Sequence, residues 1–196
     1  MPVSVKRSGK LKSILAMLKA EGNQHVEVGI FEGAKTADGK PMAEIATYLE
    51  YGWVQRITKA QAGYFGATYG IHLKPGNTLY LPPRPMFRGT YAAEAQKWAK
   101  IGSKAVLYYN SVTKALETVG MMAKNDIQQT IVSGGTSSER FPRRSPLTMA
   151  LLGQNMKGHK ANGKNLVGGG ASATDKPLVL TGRLLNSIDF RIVKDS

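Results

Sequence analysis

Apolar residues recur along this chain with two periods, and the switches between them divide it into elements. Over residues 9–20, Leu11, Ile14, Leu15 and Leu18 fall three or four positions apart, with Lys10, Lys12 and Lys19 on the other side. This spacing predicts a short amphipathic helix. Glu21-Gly22-Asn23 ends it, with Gly22 as a left-handed cap. The period then drops to two. Val26, Val28 and Ile30 alternate with His25, Glu27 and Gly29, a half-buried strand over 25–31. Asp38-Gly39-Lys40-Pro41 is turn chemistry, and Met42, Ile45, Ala46 and Leu49 then share one helical face until Gly52 stops it. Further on, Val112, Ala115, Leu116, Val119, Ala123, Ile127 and Ile131 repeat every three or four positions. They predict the main core helix over about 103–132, on the order of 40 Å long at 1.5 Å per residue. Gly102 is expected to break it from a shorter helix that Thr90 caps and that turns Tyr91, Ala95 and Trp98 inward. Near the end, Thr181-Gly182 opens a helical turn with Leu184 and Leu185. Ile188, Phe190 and Ile192 then alternate with Asp189, Arg191 and Val193 as a strand over 187–193, expected to pair with the first.

Between these elements lie stretches with neither period. Residues 53–78 are interrupted by Gly63, Gly66, Gly70 and Gly76, with Tyr64, Phe65 and Tyr69 among them. Short β segments near 54–57 and 69–73 predict a hairpin within 54–74, in a projecting loop whose aromatics meet either its own domain or a partner. Leu81-Pro82-Pro83-Arg84-Pro85-Met86-Phe87-Arg88 follows. Its three prolines fix φ and remove backbone donors, so it should be a stiff extended arm. The arm is either a rigid strand-to-helix connection or a docking arm for a neighbouring subunit, since a pre-stiffened segment loses little entropy on docking. Ser145-Pro146 predicts a short helix to Leu152. Residues 153–176 hold almost no large apolar groups and read as a flexible basic loop. The fold class is α+β, in a single domain: a small mixed or antiparallel sheet packed against the long helix and shorter ones, with long glycine-rich loops.

Charge changes the picture more than size. The 196 residues carry a net charge of +14. Residues 51–93 hold Arg56, Lys59, Lys74, Arg84 and Arg88 and no acid. Residues 140–174 hold Arg140, Arg143, Arg144, Lys157, Lys160 and Lys164 and again no acid. Such a field favours a polyanion or an acidic protein partner. Arg143, Arg144, Lys157, Lys160 and Lys164 are the candidate contacts to DNA phosphates or to that partner. The chain has no cysteine, which excludes disulfides and thiolate chemistry. Its N-terminus lacks the apolar core of a signal peptide, and no window approaches the ~18 apolar residues of a membrane span, so a soluble protein is expected.

The chemical motifs that were testable fail on particular residues. Gly29-Ile30-Phe31-Glu32-Gly33-Ala34-Lys35-Thr36 approaches a phosphate-binding loop. However, Ala34 replaces its second glycine, Glu32 puts a carboxylate where phosphates belong, and Gly29 sits inside the strand. His25, His72 and His159 are scattered and have no cysteine companions, which gives a zinc site little support. No G-x-S-x-G elbow and no zinc-finger or RNP-type spacing is present. The expectation is a protein that is not an enzyme and takes no cofactor and no metal.

Four ordered pieces carry a resemblance. They are Val26-Glu27-Val28-Gly29-Ile30 with Ala43-Glu44-Ile45-Ala46-Thr47-Tyr48-Leu49-Glu50-Tyr51-Gly52; the proline arm; Ser145-Pro146-Leu147-Thr148; and Lys176-Pro177-Leu178-Val179-Leu180-Thr181-Gly182-Arg183-Leu184-Leu185-Asn186-Ser187-Ile188. In this order the chain resembles the virion morphogenesis proteins of tailed bacteriophages, the minor tail, tail-completion or head–tail joining proteins. Residues 53–77 and 153–174 look longer than that family's usual connections. The resemblance implies an α+β domain in a homo-oligomeric ring, a hexamer by tail symmetry, at the neck or tail end of a virion. It implies synthesis in the host cytoplasm and partners among the neck and tail proteins, with packaged DNA met through phosphates and no membrane. Heterologous contacts that close produce such rings. The competing expectation is a basic protein that binds nucleic acid without reading sequence.

Overall fold

The computed structural model describes residues 8–36, 39–143 and 182–195. Helix α1 (Ser8–Glu21) leads into strand β1 (Gln24–Ile30), and helix α2 (Met42–Tyr51) follows. Strand β2 (Trp53–Arg56), helix α3 (Lys59–Tyr69) and strand β3 (Thr78–Leu81) come next. Two long helices, α4 (Met86–Tyr109) and α5 (Val112–Ser133), precede a short helix α6 (Arg183–Asn186) and strand β4 (Ile188–Lys194). The α+β class read from the periods is the class observed. No helix among the described residues is long and apolar enough to cross a membrane.

The two alternating segments at opposite ends of the chain pair as expected. β1 and β4 run antiparallel, with Val26 opposite Ile192, Val28 opposite Phe190 and Ile30 opposite Ile188. These three pairs face α5, which packs on both strands. The approach is close because residue 120 is glycine: a Cβ there would collide with the Phe190 ring and lie 2.8 Å from a Val26 methyl. The opposite sheet face is polar, with Arg191 Nε donating to Glu27 at 2.7 Å. The core gathers Met42 and Ala46 of α2, Met86 of α4, Ile127 and Ile131 of α5, and Phe141, Leu184 and Ile188.

Several boundaries differ from the sequence expectation, each for a local reason. The long helix is two helices. Gly102 lies inside α4, where a Cβ would come within 3.0 Å of a Val119 methyl, so that glycine serves helix–helix approach. The break falls at Asn110, whose left-handed φ of 48° is one asparagine tolerates, and Ser111 then N-caps α5. Thr90 caps nothing: α4 starts at Met86, and the fully buried Thr90 hydroxyl donates to the Met86 carbonyl at 2.6 Å and lies 2.8 Å from the Thr130 hydroxyl. Tyr91 is exposed rather than inward. Gly22 does not adopt a left-handed φ; it is small because a Cβ would collide with the Leu18 carbonyl oxygen.

The hairpin exists but returns later than residues 69–73. β2 pairs with β3, Val54 opposite Tyr80 and Trp53 opposite Leu81. Residues 59–69 are helical despite Gly63 and Gly66. Thr58 and Gln61 form a capping box, and Gly70 closes the helix at a left-handed φ of 65°. The expected short helix over 146–152 and the loop over 153–176 lie outside the described residues.

Candidate assembly site

Two of the motif pieces meet in one clasp. Glu50 is the penultimate residue of α2, a poor place for a carboxylate, because the C-terminal end of a helix is its negative end. Its side chain is only 5% exposed and is turned onto the start of the next long helix. The carboxylate accepts the Phe87 and Arg88 backbone N–H groups, each at 3.0 Å, and Arg88 Nε at 3.1 Å. Arg88 Nη2 donates to the Glu50 carbonyl at 3.0 Å, and its guanidinium lies over the Tyr51 ring. Glu50 thus caps α4 from another element, which Pro85 cannot do with a side chain of its own. The Arg84 N–H donates to the Leu49 carbonyl at 2.7 Å and completes the clasp.

The same device starts α5. Glu21, the last residue of α1, accepts the Val112 N–H at 2.7 Å, the Thr113 N–H at 3.1 Å and the Ser111 hydroxyl at 2.9 Å. The Thr113 backbone bond first, then the Ser111 hydroxyl, holds its carboxyl below the usual value. Sequence reading missed both glutamates. The available signal was a carboxylate in the last helical turn, locally unfavourable and so worth explaining by something outside that helix.

The clasp settles what the proline arm does within its own chain. Met86 is fully buried in the core and Arg84 is 4% exposed, with its guanidinium reaching the Pro142 and Arg143 carbonyls at 3.4 and 3.5 Å. As docking residues for a neighbour, Arg84 and Met86 are therefore corrected to internal ones: their side chains are consumed inside the subunit. Leu81, Pro82 and Pro85 are half-buried, Pro83 and Arg88 are exposed, and half-buried Phe87 packs against the core. Of the basic contact residues, Arg143 is exposed at the edge of the described chain. Arg144, Lys157, Lys160 and Lys164 lie outside the described residues.

Beside the clasp the fold leaves an apolar groove. β1 and α4 both lie on α5, and the space between them holds a cavity of about 750 Å³. Val26 and Val28 form one wall, Tyr91, Ala95 and Trp98 the other, and Leu116, Val119 and Ala123 the floor. A second cavity of about 310 Å³ adjoins it through Val28, Phe87 and Arg88 and continues along β1 to Ala43 and Thr47 of α2. No β4 residue lines either cavity, so the groove runs along the edge of β1 that β4 does not use. At its rim Trp98 Nε1 donates to Asp126 at 2.7 Å. Lys97 bridges Asp126 at 2.8 Å and Glu94 at 2.6 Å, and those two carboxylates, Asp126 foremost, raise its pKa.

Further apolar surface stands on the β2–α3–β3 unit. Among the described residues β2 and β3 pair only with each other, and α3 has no buried residue. Val54 is 60% exposed and its cross-strand partner Tyr80 62%, so one face of the hairpin presents an apolar pair to solvent. Tyr64, Phe65 and Tyr69 cluster on α3, with the Tyr64 ring T-shaped to the other two. At the far end of α4, Leu107 and Tyr108 are exposed as well, Tyr108 at 83%. Contiguous apolar surface of this kind marks interaction sites. Among the described residues, no group of three or more His, Asp or Glu side chains is placed to hold a metal ion.

No family model matches this chain, and no curated protein and no solved structure matches it either.

Proposed function

We propose that this chain is a non-enzymatic structural protein of a tailed-bacteriophage virion. Copies close into a ring at the neck or tail end, which completes the tail and joins it to the head. The observation that carries the proposal is the apolar groove beside β1 that the described residues leave uncovered, on a subunit that also holds out an apolar hairpin face. A subunit leaves such surfaces uncovered when other subunits cover them. The ordered motif pieces supply the virion setting, and two of them form the clasp that fixes α2 to α4. The positive field suits a ring that meets DNA phosphates or an acidic neighbouring ring.

The test is assembly. Light scattering after size exclusion, with negative-stain electron microscopy, is expected to show closed rings of the purified chain. The protein is also expected in purified virions. A chain that stays monomeric at high concentration and enters no particle overturns the proposal. If that monomer binds DNA with a steep salt dependence, the nucleic-acid-binding reading replaces it.

A further inference from the structure

We infer that the subunit contact of this ring is the β2–β3 hairpin of one copy lying in the β1–α4 groove of the next. The inference rests on the ring reading and names the two surfaces it needs. The donor is the Val54–Tyr80 face with the strand edges beside it that no described residue pairs. The acceptor is the groove walled by Val28 and Trp98, along the edge of β1 that β4 leaves unpaired. An extended segment fits there because an open edge offers backbone partners at regular spacing and the apolar wall takes alternate side chains.

The hairpin does not enter its own groove. β2 begins two residues after Tyr51, which lines the smaller cavity, and β3 ends five residues before Met86. None of the residues of β2, α3 or β3 lines either cavity. The root is locked. A Cβ on Gly52 would lie 2.8 Å from the Leu81 carbonyl oxygen and 3.0 Å from the Pro83 nitrogen, so the two strands close tightly there. Pro82, Pro83 and Pro85 fix the outgoing chain, and the Arg84 N–H is bonded to Leu49. A rigid donor displaced from its own acceptor engages a second copy, and repetition of that head-to-tail contact closes a ring.

Charge agrees with the pairing. Residues 53–81 carry Arg56, Lys59 and Lys74 and no carboxylate. The groove has Asp126 and Glu94 at its Trp98 rim, both bridged by Lys97, and Glu50 paired with Arg88 at its other end, which leaves one net negative charge among these five groups. A donor that carries cations and no carboxylate meets a mouth with a small negative excess, which favours this pairing over contact with like-charged surfaces.

The absence of cysteine makes a direct test simple. Val54→Cys and Ala99→Cys are made as separate full-length proteins; Val54 is exposed, and Ala99 is exposed on the cavity wall. Mixed, assembled and mildly oxidised, they are expected to give a 54–99 disulfide between copies as the main product, with little of either homodimer. Tyr80→Asp is expected to abolish rings and to leave the far-ultraviolet circular dichroism spectrum of the subunit unchanged. Rings that form without the mixed disulfide, or with the 99–99 homodimer dominant, overturn the hairpin contact and leave the ring standing. The mixed disulfide in open polymers supports the contact and sinks the closed ring. Neither ring nor disulfide sinks both.

Discussion

Replacing Glu50 tests whether the clasp, rather than local helix propensity, starts α4. In Glu50→Ala the Phe87 and Arg88 amides lose their acceptor, and each backbone group left unsatisfied in a half-buried place costs about 1–3 kcal/mol. The Arg88 side chain is 55% exposed and recovers water, so its ion pair adds at most ~1 kcal/mol. The sum is about 2–7 kcal/mol, a large part of the ~5–15 kcal/mol that holds a typical domain together. Glu50→Gln keeps one acceptor oxygen and is expected to lose about half as much. Glu44→Gln is the control, because Glu44 is exposed and holds only the Tyr48 hydroxyl at 3.0 Å; its cost stays within ~0.5 kcal/mol. Urea unfolding followed by circular dichroism reads all three, with an unchanged slope showing that the unfolding reaction is the same. For a chain of this length the alanine variant should melt at least about 4 °C lower. An alanine variant within ~1 kcal/mol of the parent refutes the trans-capping account.

Four more outcomes follow from the packing and the charges. Gly120→Ala gains about 1 kcal/mol of helix propensity but loses about 1–3 kcal/mol by forcing Phe190 and Val26 off α5, so urea unfolding should show a net loss, and a net gain refutes the close approach. Thr90→Val alone strands the Thr130 hydroxyl and should cost about 1–2 kcal/mol, while Thr90→Val with Thr130→Val should cost no more than the single change; additive losses refute the buried pair. Asp195 first, then Glu27, raises the His25 pKa above 6.5. Its stabilising effect is therefore full below pH 6.5 and is lost as pH rises through the native value, and His25→Gln should flatten that alkaline slope of the unfolding midpoint. Glu21 has the opposite sign: its lowered pKa stabilises above pH 4.5 and fails as pH falls through the native value, so Glu21→Gln should remove part of the acid-side loss.

What the sequence made legible was periodicity, and periodicity reports faces. The alternation at 25–31 and 187–193 placed both strands and their pairing, because one face of each is apolar enough to admit a single register. The 3.6 period gave the buried stripe of α5 through Ala115, Ala123, Ile127 and Ile131. It could not place the start of α5, because the apolar pattern runs on across Asn110 and only a left-handed φ breaks the helix there. Likewise Gly63 and Gly66 read as breakers, since the capping box at Thr58 and Gln61 outweighs them only once the whole helix forms. The site was harder for a different reason. Arg84 and Arg88 look alike in the arm, a charge at either end of Pro85-Met86-Phe87, yet one is buried and the other half out. What separates them is Glu50, more than thirty residues earlier, and Leu49 beside it. A stiff arm has no fate of its own in sequence: the acceptors that catch it decide which residues stay inside and which remain for a neighbour. Here those acceptors take Arg84 and Met86 inward, and the surface proposed for assembly is the hairpin that the arm holds out with the groove beside it.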